Sequence, residues 1–521
     1  MDRMNFEPLT PTSFLRRAGE VFQDRVAVID GDRRTTYGEL LARALRLAGA
    51  LRGLGATDGA RVAAICGNSQ AMLELHYGAP FAGAVLLPLN VRLTPEDLAW
   101  CIQHAGAKVL VHDAPNEATA IEVERRVPGL RRIGPSDYEA LVESGQPFSA
   151  PVQDELGLLA LSYTSGTTAK PKGIMYHHRG AYLQSLAMAL EMKLDAESRY
   201  LWTLPMFHCD GWCFTWAVTA VGGTHICLPA IDAAKIWRLF REAGVTHMCG
   251  APTVLSMLLF HPDAKKDRPV RYGIGGAAPT PVVLARAAEL GIDVTHLYGL
   301  TETFGPIMLC KWRSEWNGLP IEEQARLKSR QGVGNVISGR ARIVGSDGGD
   351  VPADGATMGE VALRGNNIML GYYKDDEATQ RAAPDGWFRS GDLGVMHPDG
   401  YVELKDRAKD IIISGGENVS SLEVESALSA HPAVLEAAVV AGPDEKWGEV
   451  PIAFVKLKPG QDVSGPALIE HARTLLAKWK APKRVVFGDI PRTSTGKVQK
   501  LVLRERARAL VNEAKDKEGA R

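Results

Sequence analysis

Two series of short apolar runs, each alternating with amphipathic helical patterns, constrain the fold of this 521-residue chain more than any other feature. In the first series, RVAAIC, VLLPL and KVLVH alternate with helical patterns that begin near Ser69 and Thr94. After residue 200 the alternation returns in THICL, VTHMCG, RYGIGG and IDVTHLYG, with helical patterns over IDAAKIWRLFREAG and PVVLARAAELG. Such alternation is typical of parallel strands joined by helical crossovers. We therefore expect an α/β fold with two stacked α/β sheet blocks.

The remaining segments predict the domain organisation. Thr36 and Glu39 form the pattern of a capping box in front of a helix that glycines end near position 55. Residues 114–155 are rich in Pro, Gly and charge, which predicts a connecting region, whereas 331–404 has the turn spacing of a β-rich subdomain. The polar segment KDRAKD then leads into a smaller α+β pattern. We expect a large N-terminal domain over 1–408 and a small mobile C-terminal domain over 409–521.

Composition and charge exclude several classes of protein. The chain is 45% hydrophobic and 23% charged, as globular proteins are, and its formal net charge of -1 argues against nucleic acid as a partner. Its 7 cysteines form no CxxC pair, which favours reduced thiols in a cytoplasmic protein. The first residues, MDRMNFEPLTPTSF, lack an apolar signal core, and no stretch approaches the roughly 18 apolar residues of a membrane span, so we expect neither secretion nor insertion.

The strongest local feature is SYTSGTTAKPKG, from Ser162 to Gly173, which follows the apolar run LGLLAL. Its hydroxyls, small residues and two lysines suit a loop that wraps a polyphosphate. The spacing departs from the Walker pattern because Pro171 lies where the second glycine belongs, which disfavours a P-loop NTPase.

This segment resembles the phosphate loop of the acyl-adenylate-forming superfamily, which includes acyl-CoA synthetases, peptide-synthetase adenylation domains and luciferases. Further motifs of that superfamily follow in order along nearly the whole chain: GGAAP, YGLTET, WFRSGD, KDRAKD, ISGGEN and PRTSTGKVQK. The segments HHRGAYL, FHCDGW and AVTAVGGTHICL are most similar to the branch with medium-chain, aryl and methylmercaptopropionate CoA ligases. A GxGxxA pattern from Gly273 also matches a weak dinucleotide fingerprint, which we regard as the poorer interpretation.

The resemblance implies a nucleotide site. In YGLTET, the Tyr298 ring can stack on adenine, Thr301 can hydrogen-bond the α-phosphate, and Glu302 can bind Mg²⁺. Asp392 and Arg407 are expected to bind the ribose hydroxyls. The full set expected to bind ATP or AMP is Thr164, Ser165, Gly166, Thr167, Thr168, Lys172, Gly276, Ala277, Ala278, Pro279, Tyr298, Gly299, Asp392 and Arg407.

The small domain is expected to act in both half-reactions. The resemblance makes Lys497 the cation that enters the site during adenylation, when charge must be neutralised on the reacting groups. It makes Lys409 the hinge and assigns coenzyme A to the loop of Ser414, Gly415, Gly416 and Glu417.

The segment WTLPMFHCDGWCFTW, residues 202–216, is strongly aromatic and lacks Lys and Arg. It resembles the wall of the acyl pocket, to which we assign Phe207, Trp212 and Gly299; an apolar slot suits a monocarboxylate, because a second carboxylate would be buried unpaired. His208 joins Lys497, Thr301 and Glu302 as a candidate catalytic residue. A metal site of His208, Cys209 and Cys213 is the weaker alternative, because the sequence offers no fourth ligand nearby.

Together these features predict an AMP-forming acid:CoA ligase that uses ATP, Mg²⁺ and coenzyme A to activate a short-chain, medium-chain or aryl carboxylic acid. Two alternatives stay open, an acyl-AMP ligase that loads a carrier protein and a catalytically inactive nucleotide-binding protein. The absence of a carrier domain after residue 500 disfavours a peptide-synthetase module. A homodimer is compatible with this interpretation.

Overall fold

Fifteen strands and thirteen helices are found in the larger of two compact units, in a computed structural model that describes residues 5–164, 170–276, 279, 281–492 and 498–519. The side chains of Pro281 and of residues 512–519 are not described. Seven predicted site residues lie outside the described part of the chain: Ser165, Gly166, Thr167, Thr168, Ala277, Ala278 and Lys497.

The chain divides into two compact units. The first contains residues up to Lys328 together with Val333–Arg340 and Arg364–Phe388, and the second contains Ser329–Gly332, Ala341–Leu363 and the chain from Arg389 onward. The predicted boundary at Lys409 lies within the second unit and stays a prediction.

The first unit contains two mixed sheets. Its strands are β1 Val26–Asp30, β2 Arg33–Thr36, β3 Arg61–Ile65, β4 Val85–Pro88, β5 Val109–His112, β6 Arg131–Ile133, β7 Leu158–Tyr163, β8 Gly173–His177, β9 Arg199–Leu201, β10 Thr224–Cys227, β11 His247–Gly250, β12 Val270–Ile274, β13 Ile292–Leu300, β14 Gly305–Leu309 and β15 Val333–Gly334. Its helices are Thr12–Val21, Tyr37–Gly53, Gln70–Phe81, Pro95–Ala105, Glu117–Arg126, Pro135–Ser144, His178–Glu191, Phe214–Val221, Ala233–Glu242, Pro252–Leu259, Pro281–Glu289 and Ile321–Ser329, and a further one at Asp376–Ala382.

One sheet has the strand order β6-β5-β3-β4-β7-β8 and the other β15-β14-β13-β12-β11-β9-β10-β1-β2. In the first sheet, neighbouring strands are parallel along the series β6-β5-β3-β4-β7. In the second sheet, they are parallel along the series β13-β12-β11-β9-β10-β1. The largest apolar cluster takes side chains from both sheets, among them Val62 of β3 and Val28 of β1. The α/β prediction with two sheet blocks is confirmed.

Local signals in the sequence explain where these elements begin. Thr36 caps the helix Tyr37–Gly53 in a complete capping box with Glu39, which confirms that prediction. Ser69 and Thr94 accept hydrogen bonds from the backbone three residues ahead and start the next two helices, as predicted. Strands β3, β4 and β5 are almost fully buried, in keeping with their continuous apolar character.

The segment 114–155 is more ordered than its composition predicts. It holds the helices Glu117–Arg126 and Pro135–Ser144, and β6 between them adds an edge strand to the first sheet. Each helix buries only a few apolar residues, such as Ala120 and Val123 in the first, beneath a charged outer face. The high charge of this segment therefore belongs to helices and a strand at the edge of the sheet, and not to an irregular connecting loop.

The second unit has a four-stranded antiparallel sheet, a five-stranded mixed sheet and three helices among its described residues. A four-stranded sheet runs β16 Arg342–Val344, β17 Gly359–Leu363, β18 Phe388–Met396 and β19 Val402–Arg407. A five-stranded sheet is built from β20 Ile412–Ser414, β21 Glu417–Val419, β22 Val434–Asp444, β23 Gly448–Leu457 and β24 Arg484–Phe487. The helices are Ser421–Ser429, Gly465–Leu475 and Lys500–Gly519. This pattern agrees with the β-rich and α+β character predicted from residue 331 onward.

Among the helices of the described part of the chain, none has both the length and the apolar character needed to cross a bilayer.

Candidate active site

The predicted phosphate loop connects two paired strands of the first sheet. Strands β7 and β8 are antiparallel, with Tyr163 opposite Gly173. Just beyond them, the Thr164 amide donates to the Lys172 carbonyl at 3.0 Å, and the Lys172 amide donates to Oγ1 of Thr164 at 3.1 Å. Two predicted nucleotide-binding residues thus close the base of the loop.

The YGLTET motif brings its predicted residues to the end of β13. Thr301 and Glu302 lie in a 3-10 turn, Thr301–Thr303, directly after that strand. The Tyr372 hydroxyl donates to Oε1 of Glu302 at 3.0 Å, and Nζ of Lys172 lies 4.6 Å from the centre of the Tyr372 ring. Glu302 and Lys172 therefore contact the same tyrosine.

Buried polar side chains hold this turn in place. The Tyr176 hydroxyl donates to the Thr301 carbonyl at 2.5 Å, and Nδ2 of Asn367 donates to the Thr303 carbonyl at 3.0 Å. The Met369 amide donates to the Glu302 carbonyl at 2.9 Å. Burial, and then the nearby Cys209, raises the pKa of Tyr176, so its phenol keeps the proton that it donates.

The sequence analysis missed Tyr176, Tyr372 and Asn367. Tyr176 had a signal, because it alternates with Ile174 on the buried side of β8. Tyr372 lies 70 residues from Glu302 and Asn367 lies 64 residues from Thr303. No pattern within a local window connects residues at such separations.

Trp212 of the acyl segment packs against Gly275 of the GGAAP motif and against Gly305, which lies two residues after the YGLTET motif. A Cβ atom added to Gly275 would lie 2.6 Å from Cη2 of Trp212, and one added to Gly305 would lie 3.0 Å from its Cα. Gly299 is equally restricted, since a Cβ there would lie 2.0 Å from the Gly305 carbonyl oxygen. Only glycine permits these close approaches. Trp212 and Gly299, both predicted to line the pocket, therefore both lie close to Gly305.

The backbone beneath Trp212 has an unusual conformation. Five consecutive residues, Cys209 to Cys213, all have positive φ, between 45° and 64°, and form a left-handed turn. Such a conformation costs about 1–2 kcal/mol for each residue other than glycine. Of the five, only Gly211 adopts it freely, so the surrounding contacts must maintain the turn, as is common at functional sites.

The other predicted residues of this unit lie in or next to these elements. Phe207 and Tyr298 are buried and His208 is half-buried, with Cys209 Sγ 3.9 Å from Nε2 of His208 and 3.8 Å from Oγ1 of Thr301. Gly276 is exposed and has φ of 92°, and Pro279 is buried.

In the second unit, the two predicted ribose-binding residues face each other. Asp392 of β18 lies opposite Arg407 of β19, and Nε of Arg407 lies 3.1 Å from Oδ1 of Asp392. The Asp392 side chain is 5% exposed and that of Arg407 is 43% exposed, so the arginine is the accessible partner.

Lys409 lies in an exposed turn after β19. Nη2 of Arg504 donates to the Lys409 carbonyl at 2.9 Å, and Arg504 also pairs with Asp410. The helix that begins at Lys500 therefore contacts the predicted hinge.

The predicted coenzyme A loop is the turn of a hairpin between β20 and β21. Gly415 and Gly416 both have positive φ, 62° and 88°, as tight hairpin turns require. The Gly415 amide donates to the Trp447 carbonyl at 2.8 Å, and a Cβ at Gly415 would lie 2.7 Å from the Trp447 ring. Trp447 is 42% exposed, and its position beside this loop was not predicted.

Glu302 suits a metal that is bound mainly by substrate. Across the described residues, no three His, Cys, Asp or Glu side chains gather closely enough to hold a metal ion. Mg²⁺ commonly takes one or two protein carboxylates together with substrate phosphates, so a single carboxylate beside a phosphate loop fits it.

Comparisons with known proteins identify the family of this chain. The AMP-binding enzyme family matches residues 15–373, and the AMP-binding enzyme C-terminal domain matches residues 423–497. A 4-hydroxybutyrate–CoA ligase of Metallosphaera sedula is 43% identical, over 98% of this chain and 96% of its own length. An acetate–CoA ligase of Humulus lupulus is also 43% identical, over 97% of this chain and 96% of its own.

Solved structures have a similar fold. ATP-bound MatB from Rhodopseudomonas palustris is 30% identical, with a TM-score of 0.85 over 95% of this chain and 98% of its own. An o-succinylbenzoate CoA synthetase from Bacillus subtilis, in complex with its acyl-adenylate intermediate, is 26% identical with a TM-score of 0.83, over 95% and 98%. From its sequence, its motifs and its fold, this chain belongs to the family of AMP-binding enzymes.

Proposed function

We propose that this chain is an ATP-dependent, AMP-forming acid:CoA ligase for short- or medium-chain monocarboxylates, aryl acids included. The observation that carries the proposal is the contact of Trp212 with Gly275 and Gly305, because it brings the acyl segment against the GGAAP motif and the strand that follows YGLTET. The CoA ligases for 4-hydroxybutyrate, acetate and 2-methylpropanoate, each 43% identical to this chain, support this substrate class.

In the first half-reaction, a carboxylate oxygen of the acid attacks the α-phosphorus of ATP. The bond to the β-phosphate oxygen breaks and pyrophosphate leaves. Thr301 donates a hydrogen bond to an α-phosphate oxygen, while Lys172 and Lys497 supply cations that offset charge in the transition state. Mg²⁺ held by Glu302 would neutralise phosphate charge further.

The acyl chain is proposed to lie against Phe207 and Trp212. Both are buried aromatic side chains, and the segment 202–216 has no Lys or Arg that could pair with a second carboxylate. A dicarboxylic acid would therefore lose hydration without gaining a partner. This favours monocarboxylic acids.

In the second half-reaction, the thiolate of coenzyme A attacks the carbonyl carbon of the acyl-adenylate. The bond to the phosphate oxygen breaks, AMP leaves, and the thiol proton passes to solvent. We assign the coenzyme to the loop Ser414–Glu417 and include Trp447, whose exposed ring lies against Gly415. Lys409 is the proposed hinge that exchanges Lys497 for this loop.

Two further proposals concern the cellular location and the oligomeric state of the protein. The sequence favours a cytoplasmic location, although an acetate/butyrate–CoA ligase of Arabidopsis thaliana, 41% identical, is named as peroxisomal. A homodimer is compatible with the activity, because the proposed chemistry uses residues of one chain.

The test is pyrophosphate release with ATP, Mg²⁺ and acids from acetate to dodecanoate, together with 4-hydroxybutyrate, benzoate and sulfur-containing acids. We expect acid-dependent release, and acyl-CoA product when coenzyme A is added. Release that coenzyme A never converts to product would instead indicate an acyl-AMP ligase for a carrier protein. No release with any acid would indicate an inactive nucleotide-binding protein.

A further inference from the structure

Asp210 is a fully buried carboxyl within the left-handed turn. Its side chain is 0% exposed, and Oγ of Ser162 donates to its Oδ1 at 3.0 Å. Ser162 is itself 2% exposed and lies in β7, two residues before Thr164 at the base of the phosphate loop. The hydrogen bond therefore connects the strand that enters the loop with the turn that carries Trp212.

The backbone of Asp210 is also held. Oγ1 of Thr215 donates to its carbonyl at 3.1 Å, and the Cys213 amide donates to the same oxygen at 3.2 Å. Asp and Asn tolerate a left-handed backbone better than other residues with a Cβ. The residue type thus fits the turn, but the conformation alone does not require a carboxyl.

The second carboxyl oxygen, Oδ2, is buried and accepts no hydrogen bond from the described residues. Burial raises the pKa of Asp210 to about 7, against the opposing effect of the Ser162 hydrogen bond. The carboxyl is therefore protonated in a large fraction of molecules near neutral pH. A buried group that is incompletely satisfied destabilises the fold, so its presence calls for a functional explanation.

We propose that Asp210 is a positioning residue for adenylation, which through Ser162 fixes the entrance of the phosphate loop relative to the turn that holds Trp212. The inference deepens the proposed function and rests on it. Asp210 acts on the reacting groups through Ser162 and Trp212 and does not contact them itself.

The charge state of Asp210 should make this role visible as a pH dependence of substrate binding. Among the described residues, Asp210 acts electrostatically on Tyr176 of β8 and on Cys213 of the turn, and Cys209 and Glu302 act on the same Tyr176 phenol. None of these is a cation. Ionisation of Asp210 therefore adds a negative charge close to Tyr176, whose phenol donates to the Thr301 carbonyl, near the proposed position of two anionic substrates. We expect the KM of the acid and of ATP to rise above pH 7 in the wild type.

The experiment is ATP–pyrophosphate exchange without coenzyme A, from pH 6 to pH 9, for the wild type and for Asp210→Asn, Asp210→Gly and Ser162→Ala. Asn keeps the acceptor and the backbone preference but cannot ionise, so Asp210→Asn should keep most of the exchange rate at pH 6.5 and lose the alkaline rise in KM. Asp210→Gly keeps the backbone freedom but loses the carboxyl, and should lower kcat at least tenfold. Ser162→Ala, which removes the hydrogen bond to Asp210, should also lower kcat.

A matched control is Asp58, an exposed aspartate with φ of 47° outside the site. Asp58→Asn and Asp58→Gly should leave the exchange unchanged at every pH. The inference is overturned if Asp210→Gly exchanges at the wild-type rate, or if Asp210→Asn keeps the alkaline rise in KM. If Asp210→Gly does not fold, the Asn and Ser162 variants decide the question. Absence of exchange in the wild type with every acid would overturn the proposed function instead.

Discussion

The phenol of Tyr372 donates a hydrogen bond to Oε1 of Glu302 at 3.0 Å, across 70 residues of sequence. It fixes one oxygen of the carboxylate that we assign to Mg²⁺ and orients the other. Tyr372→Phe should therefore raise the Mg²⁺ concentration needed for half-maximal pyrophosphate release. A hydrogen bond to a charged group contributes about 1.5–3 kcal/mol, so the shift should be about tenfold or more.

The neighbouring residue supplies the control for this prediction. Tyr373 accepts a hydrogen bond from Arg61 at 2.6 Å, and Tyr373→Phe should leave the Mg²⁺ requirement unchanged. Equal responses of the two variants would show that Tyr372 has no special relation to the metal.

The contact of Trp212 with Gly275 predicts two opposite changes in substrate preference. Trp212→Ala should enlarge the acyl pocket and favour longer acids, whereas Gly275→Ala should push the ring inward and favour shorter ones. One methylene of pocket complementarity contributes about 1–3 kcal/mol, so ratios of kcat/KM across the acid series should change roughly tenfold. Unchanged ratios in both variants would remove Trp212 from the pocket wall.

Lys497→Ala should separate the two half-reactions. The cation is needed while the phosphoryl group is transferred, and loss of such a stabilising group costs about 2.7–4 kcal/mol, or 10² to 10³ in rate. Formation of acyl-AMP should fall by that factor, while thioester formation from supplied acyl-AMP should persist. An equal loss in both steps would indicate a structural role for this lysine.

Lys409→Pro tests the hinge. Proline fixes φ near about -65°, so it should trap one arrangement of the small domain and, in our interpretation, the adenylating one. Adenylation should continue while thioester formation falls by orders of magnitude. Lys409→Ala, which leaves the backbone free, is the matched control and should retain both rates; a fully active proline variant would locate the hinge elsewhere.

Asp210 also predicts a pH dependence of stability. Its pKa is about 7 in the folded protein against a usual 3.8, so the folded state binds the proton more tightly than the unfolded state does. Stability from this group is therefore fully present below about pH 4 and decreases as pH rises to 7, by on the order of 4 kcal/mol. The free energy of unfolding of Asp210→Asn, measured with urea, should increasingly exceed that of the wild type across this range. A difference that does not vary with pH would contradict the raised pKa.

Periodicity and capping residues were enough to predict most of the first unit. The runs RVAAIC and KVLVH became β3 and β5, and Ser69 and Thr94 cap the expected helices, because these signals act within a few residues of chain. The position of Thr164 and Glu302 at strand ends followed from the same local signals.

What escaped prediction depends on tertiary contacts. The residues that orient Glu302 and Thr303 come from a segment more than 60 positions away, as the separations of 70 and 64 residues show. The left-handed conformation at Cys209 and Trp212 opposes the intrinsic preference of both residues, so only packing can impose it. Intrinsic backbone propensities therefore could not predict this left-handed turn.

The burial of all seven cysteines makes this protein suited to site-specific fluorescent labelling. Burial raises the pKa of the Cys66, Cys213 and Cys227 thiols, which leaves little thiolate to react with a maleimide dye. New cysteines at the exposed positions Lys108 and Asp462, one in each compact unit, would therefore take up donor and acceptor dyes without removal of the native thiols. Energy transfer between the dyes could then follow the distance between the two units through a single turnover.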